Sequence, residues 1–189
     1  GLAYQTNLIG IKTSGLLNYI KLERNNILIY KLDKVDMTNK RMIVVGCNFR
    51  VNKENPTMNI FSICQDQEET ETKIVNNSIL SARLNSGKLY IDIKNKNGAL
   101  NIITTSLGII NNEWNFVSLA YGYREDEGSK KEEYFDVTLN GRVKRFNGLN
   151  LPKIFDVIFN DKVSVKFKGE LGYEIDITSV YITYNNTNT

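Results

Sequence analysis

Five polar side chains stand between apolar residues in three short segments, and they are the residues best suited to holding a ligand. They are Tyr90, Asp92, Tyr134, Asp136 and Lys166. Because successive side chains of a β-strand point to opposite faces, all five are predicted to share the solvent side of one sheet. Tyrosine rings stack on sugar C–H faces and charged groups exchange hydrogen bonds with hydroxyls, so this surface suits a shallow carbohydrate site. The alternative is an ordinary solvated sheet face.

The sequence lacks the residues that most hydrolases need. It contains no histidine, which removes the Ser-His-Asp and Cys-His triads and His-ligated zinc. Retaining glycosidases need two carboxylates about 5 Å apart, and the expected E-x-D-x-x-E spacing does not occur. The acidic residues at 125–127 and 132–133 flank glycine and lysines, which indicates a solvated hairpin loop. We therefore predict that the protein is not an enzyme and needs no cofactor.

One acidic segment and two thiols are candidate metal or redox groups. The acidic segment consists of Asp66, Glu68, Glu69 and Glu71. It is predicted to be a solvated loop without metal, with structural calcium as the alternative, because clustered carboxylates can bind calcium but EF-hand spacing is absent. Cys47 and Cys64 define no disulfide framework and are predicted to be buried, reduced thiols.

The length and the net charge of the chain are typical of a single globular domain. The 189 residues include 24 Lys+Arg and 21 Asp+Glu, a net charge of +3. Residues 1–184 are predicted to form a single β-sandwich domain and residues 185–189 a frayed polar tail. The near-balanced charge argues against nucleic acid as a partner. No apolar run approaches the roughly 18 residues of a membrane span, so membrane insertion is not expected.

Apolar residues recur with period 2 along most of the chain, which is typical of half-buried strands. The pattern is uninterrupted in Leu89–Lys94, Tyr134–Leu139 and Val163–Lys168. Met42–Cys47 and much of Ile60–Cys64 are apolar on both faces, so these two strands are predicted to lie centrally. Helix is disfavoured, since the chain has 25 Asn and 21 Ile but only 4 Ala.

Turn residues predict how these strands connect. Asn-Gly pairs at 97–98 and 140–141 predict two hairpins, and a change of phase predicts a bulge near Thr178–Ser179. Only Pro152–Ile158 favours a helical turn. Further strands are predicted at Leu16–Leu22, Ile27–Tyr30, Ile74–Leu84, Ala99–Thr104, Asn115–Tyr123, Arg142–Phe146 and Tyr173–Tyr184. About a dozen short strands indicate an all-β, antiparallel two-sheet sandwich.

Three segments resemble the concanavalin A-like jelly roll of lectin, laminin-G and carbohydrate-binding modules. Arg41–Val51 and Asn59–Cys64 are similar to its paired central strands. Asn112–Tyr121 contains W-x-x-V-x-L-x-Y and is followed by Phe135–Gly141, which ends in Asn-Gly. Gly172–Ile182 is similar to the closing strand, with an Ile-Asp pair and a Val-x-Ile ending. The order is also similar to sialidase-type carbohydrate-binding modules, phage tail proteins and the jelly-roll part of clostridial toxin binding regions.

The resemblance implies a jelly-roll fold and a non-catalytic module of a larger secreted or cell-surface protein, which binds a glycan or attaches to a surface receptor. The alternative is a structural or protein-interaction sandwich, such as a toxin, adhesin or phage tail spacer, without a sugar site. Trp114 is expected to be a core or edge plug, with a sugar-stacking platform as the alternative. The residues expected to be largely buried are Trp114, Val117, Leu119, Phe135, Val137 and Leu139.

Overall fold

The computed structural model is a sandwich of two antiparallel β-sheets. It describes residues 2–6, 12–14, 17–24, 26–32, 42–65, 78–94, 100–125, 131–147 and 163–185. Within these ranges all regular elements are strands, and none of the described segments forms a helix that could span a membrane. The predicted all-β, concanavalin A-like jelly-roll class is confirmed.

Fourteen strands form two sheets of seven. In chain order they are β1 Leu2–Thr6, β2 Lys12–Ser14, β3 Leu17–Leu22, β4 Ile27–Leu32, β5 Met42–Val51, β6 Met58–Gln65, β7 Ser78–Asn85, β8 Lys88–Lys94, β9 Leu100–Gly108, β10 Asn115–Glu125, β11 Lys131–Leu139, β12 Arg142–Asn147, β13 Val163–Lys168 and β14 Ile175–Asn185. The first sheet has the order β1-β4-β13-β6-β7-β8-β9, and the second has the order β12-β11-β10-β5-β14-β3-β2. Because β5 and β6 have neighbours on both sides, the prediction that they are central is confirmed.

The core lies between the two sheets and is built from the alternating residues that face inward. In the first sheet β8 contributes Leu89, Ile91 and Ile93, all fully buried, and in the second sheet β10 contributes Val117 and Leu119. The inward residues of β11, predicted from the same alternation, are also buried. Burial of this apolar surface is the main favourable term in folding, at about 25 cal/mol per Å².

Two predicted backbone features are present. Asn140 and Gly141 both have positive φ angles, 52° and 82°, as the two-residue turn between β11 and β12 requires. The register between β14 and β5 shifts between Thr178 and Tyr181, which confirms the predicted bulge, and Ser179 has φ 52°. The bulge moves Tyr181 onto the outer face of the second sheet.

One end of the sandwich is joined by asparagine side chains and backbone bonds. The strand registers place the β3–β4, β5–β6, β7–β8, β9–β10, β11–β12 and β13–β14 connections at this end, which we call the asparagine end. Asn55 and Asn111 bond to each other across two connections, and the Asn115 side chain bonds to Ile110, Glu113 and Asn140. Asparagine suits such loops because its amide both donates and accepts.

The structure differs from the sequence prediction in several places. Glu125 belongs to β10, and Glu132 and Glu133 belong to β11, so these acidic residues lie in paired strands and not in the predicted hairpin loop. Strands β1 and β2 were not predicted, because Leu2–Thr6 and Lys12–Ser14 are short and lack clear alternation. Trp114 is partly buried, which is compatible with the predicted edge plug but not with a fully buried core position, whereas the other five residues expected to be buried are buried. The 97–98 turn, the Pro152–Ile158 segment and residues 186–189 lie outside the described residues, although Asn185 of the predicted tail belongs to β14.

Candidate functional site

The structure divides the five predicted binding residues between the two sheets. Tyr90 and Asp92 lie in β8 and Lys166 lies in β13, all in the first sheet, whereas Tyr134 and Asp136 lie in β11 of the second sheet. The prediction that all five share one face is therefore wrong. Alternation determines which way a side chain points within a strand, but long-range pairing determines which sheet the strand joins.

Tyr90 and Asp92 remain together on the outer face of the first sheet. Arg83 of β7 lies between them: its Nε donates to Asp92 Oδ2 at 2.5 Å, and its guanidinium carbon lies 4.9 Å from the centre of the Tyr90 ring. Asp92 Oδ1 is buried and accepts no hydrogen bond from the described residues. These three side chains form a small polar patch, the Tyr90 patch.

The other predicted residues are not arranged to join this patch. Lys166 lies opposite Ser62 of β6 and is only 4% exposed, so it cannot reach a ligand in solvent. Asp136 forms a two-pronged ion pair with Arg145 of β12, with both N–O distances at 2.7 Å. The position of Tyr134 in β11 is defined, but its side chain lies outside the described part.

A second group of polar and aromatic residues lies on the outer face of the second sheet, near the asparagine end. The guanidinium carbon of Arg50, in β5, is 4.6 Å from the centre of the Trp114 ring and 5.5 Å from the centre of the Tyr19 ring. The Tyr19 and Trp114 rings meet edge to face with their centres 5.7 Å apart. We call Tyr19, Arg50 and Trp114 the aromatic–arginine cluster. Edge-to-face rings and cation–π contacts each stabilise such a group by about 1 kcal/mol.

Asp176 of β14 fixes the arginine of this cluster. Its Oδ2 accepts hydrogen bonds from Arg50 Nε at 3.1 Å and Nη2 at 3.0 Å. Its Oδ1 lies 3.5 Å from Lys21 Nζ, which also donates to Glu174 Oε2 at 3.3 Å. Arg50 of the cluster is therefore accompanied by one further positive group, Lys21, and two negative groups, Asp176 and Glu174. Partial burial favours neutral Lys21, but the charges of Asp176 and Glu174 outweigh it and raise the pKa of Lys21.

The same sheet face carries two more exposed aromatic side chains. Phe116, two residues after Trp114, is 36% exposed, and Tyr181 is 46% exposed. The Tyr181 ring lies against Gly46 of β5, since a Cβ added there would be 3.1 Å from Tyr181 Cε1. Because Gly46 has no side chain, the tyrosine can lie close to the sheet. This face is thus an aromatic surface beside a fixed guanidinium.

Sequence reasoning missed this cluster because its members come from two strands and one connection that are distant in sequence. The Trp114–Phe116 spacing was a usable signal, since residues two apart share a face and Val117 and Leu119 already occupy the inward positions. Arg50, the one charged residue of β5, was another. Neither signal could reveal that β3, β5 and β14 are neighbours.

The described part of the chain contains no group of three or more His, Cys, Asp or Glu placed to hold a metal ion. The acidic segment from Asp66 to Glu71 lies outside the described residues, so its predicted solvation and the calcium alternative remain predictions. Cys47 and Cys64 are buried free thiols, as predicted, and they lie in different sheets. Burial raises the pKa of the Cys47 thiol, which disfavours the reactive thiolate.

Comparison with solved structures finds the same fold in botulinum neurotoxins. The botulinum neurotoxin serotype G binding domain superposes with a TM-score of 0.63 at 14% identity, covering 100% of this chain and 44% of that one. The binding domain of botulinum neurotoxin DC in complex with SialylT gives 0.64 at 15% identity, covering 96% and 42%. The mosaic serotype C/D receptor binding domain, with tetraethylene glycol on its Hcn sub-domain, gives 0.63 at 14%, covering 96% and 42%.

These likenesses establish the fold. They agree with the resemblance to clostridial toxin binding regions, and the chain spans less than half the length of each of these solved domains. No family model and no curated protein matches the sequence.

Proposed function

We propose that this chain is a non-catalytic binding module of a secreted or cell-surface protein, and that it binds a glycan on its aromatic–arginine cluster. The observation that carries the proposal is Trp114, an indole that is partly exposed instead of buried and is held in place by Tyr19 and Arg50. An indole fixed in this way offers a flat apolar surface to a sugar ring without loss of side-chain freedom on binding.

The polar groups around Trp114 suit sugar hydroxyls. Arg50 donates hydrogen bonds, while Glu174 accepts them, and Asp176 keeps the guanidinium in one orientation. Because the four charges of Lys21, Arg50, Glu174 and Asp176 balance, the cluster favours a neutral sugar over a strongly acidic one. The exposed rings of Phe116 and Tyr181 extend the surface to further sugar units.

The neighbours support the class of function. The solved domains with the same fold are receptor-binding domains of botulinum neurotoxins, and one is in complex with SialylT. A glycan or a surface receptor as the partner of this chain is consistent with these structural neighbours. The Tyr90 patch is a second candidate site, as the sequence predicted, although it keeps only Tyr90 and Asp92 of the five proposed residues.

Mutation of the two faces separately distinguishes these sites. Trp114→Ala should weaken glycan binding by about tenfold or more, because it removes the stacking surface. Ile110→Ala is the matched control, since Ile110 is 57% exposed in the same connection but lies outside the cluster. Tyr90→Ala should leave binding unchanged. Calorimetry or a glycan array reads the result, with ligands tested up to about 1 mM because isolated modules bind weakly.

Each contrary outcome has a distinct meaning. If Tyr90→Ala abolishes binding and Trp114→Ala does not, the glycan site lies on the first sheet. If no glycan binds the wild-type chain, the proposal fails in favour of a structural or protein-interaction sandwich without a sugar site.

A further inference from the structure

The edge strand β9 differs from the other sheet edges in its chemistry. β9 is nine residues long, contains no charged residue and no proline, and among the described residues pairs only with β8. Edge strands carry unpaired backbone donors and acceptors, and proteins usually protect them with charge, proline, bulges or short length. Most of β9 has no such protection.

The other edges show that protection. β12 carries Arg142, Lys144 and Arg145 among its six residues, so pairing with another copy of itself would bring like charges together. β2 is only three residues long, and β1 only five. β9 is therefore the edge most open to another strand.

The outer face of β9 is apolar in the half that lacks a bulge. Leu100 is 58% exposed and Ile102 is 55% exposed. Ser106, near the other end, has φ 60° and interrupts the regular strand. The pairing-competent part is thus the stretch around Ile102.

We propose that β9 pairs antiparallel with β9 of a second copy of this chain, about a twofold axis at Ile102. In this register Ile102 faces its own counterpart, and each Leu100 faces Thr104 of the other copy. A second copy fits better than a charged partner because β9 offers no charge to complement. It also closes as a symmetric pair, whereas β9 joining β12 of another molecule would propagate head to tail.

The pair would join the two first sheets into one of fourteen strands. The Tyr90 patches would then lie on one continuous face, with their β8 strands about 14 Å apart at the usual strand spacing. A short edge contact buries less area than a stable interface, so the dimer should be concentration-dependent. This inference stands independently of the proposed glycan function.

Sedimentation of the whole chain tests the pairing. The wild-type protein should shift from monomer to dimer as its concentration rises to about 1 mM. Ile102→Lys should remain monomeric, because two ammonium groups would face each other at the axis. Val143→Lys, which alters a residue that is 59% exposed on β12, is the matched control and should still dimerise. Equal melting temperatures of both variants would show that folding is intact.

Two further measurements test the register. Ile102→Cys should form an intermolecular disulfide under mild oxidation, while Thr104→Cys, which faces Leu100 in the pair, should not. Hydrogen exchange of the β9 amides should slow at high concentration. A wild-type protein that stays monomeric, a dimer that survives Ile102→Lys, or a disulfide at position 104 instead of 102 would overturn the proposal.

Discussion

At the scale of single residues, Asp176 organises the candidate site. It is 6% exposed, yet it lies on the outer face of its sheet beneath Arg50 and Lys21. A buried carboxylate is costly unless it is paired, and here one side chain pairs with two cations. The carboxylate thereby determines where the Arg50 guanidinium lies between Tyr19 and Trp114.

Asp176→Asn should therefore affect both stability and binding. Loss of the charge leaves Arg50 and Lys21 without their shared partner, so the free energy of unfolding should fall by about 1–3 kcal/mol. Glycan binding should weaken as well, because the guanidinium is no longer fixed. Urea denaturation and calorimetry measure the two effects.

Asp136→Asn is the matched control for that substitution. Asp136 also pairs with an arginine, but Arg145 is 53% exposed, and exposed pairs contribute about 0–1 kcal/mol. A loss of stability equal to that of Asp176→Asn would contradict the role given to Asp176.

The face to which a side chain points was predictable at this scale, whereas its ion-pair partner on another strand was not always predictable. The inward positions of Val117, Leu119 and Phe135 follow from alternation alone, and all three are buried. The Asp136–Arg145 pair follows from the two-residue Asn140–Gly141 turn, which fixes the register of β11 and β12. The pairing of Asp92 with Arg83 depends on the register of β7 and β8, which alternation does not determine.

At the scale of elements, the connections of the asparagine end approach one another closely. Gly169, just after β13, lies against Glu23, just after β3: an added Cβ would be 2.0 Å from the Glu23 carbonyl oxygen. Gly169 N also donates to the Asn26 carbonyl at 3.2 Å. Only glycine lets these two backbones meet, and their contact links the two sheets.

Gly169→Ala should consequently destabilise the protein by at least about 2 kcal/mol, because backbone on both sides must move. Gly108→Ala, at the end of β9, is the control: its nearest neighbour is the flexible Lys88 ammonium at 3.3 Å, which can shift. Thermal unfolding compares the two. Equal melting temperatures would mean that the Gly169 contact relaxes without cost.

Strands that alternate regularly or that flank an Asn-Gly turn were predictable as elements. Examples are β8, β10, β11 and β12, which form where the sequence predicts them. Strands β1 and β2 were not, since both segments are short and lack clear alternation. β1 pairs with β4, which is distant in sequence, whereas β2 pairs with the next strand, β3. Pairing of this kind depends on the whole fold and not on local propensity.

At the scale of the whole molecule, the two outer faces carry different chemistry. The first sheet has the Tyr90 patch and the exposed apolar residues of β9, and the second has the aromatic–arginine cluster. The sandwich class was predictable because the alternation of apolar residues within each strand indicates which face of that strand is buried. The site was not, because it requires knowledge of which strands are neighbours.

The asparagine end also bears on the chemical ageing of the protein. Asn-Gly sequences deamidate when the glycine nitrogen attacks the side-chain carbonyl, forming a succinimide and releasing ammonia. In the turn, Asn140 Oδ1 accepts from Phe116 N at 2.8 Å and Nδ2 donates to Asn115 Oδ1 at 2.7 Å. These bonds hold the carbonyl toward β10, so Asn140 should deamidate far more slowly in the folded protein than in urea, as peptide mapping by mass spectrometry would show. Equal rates would mean that the bonds give no protection.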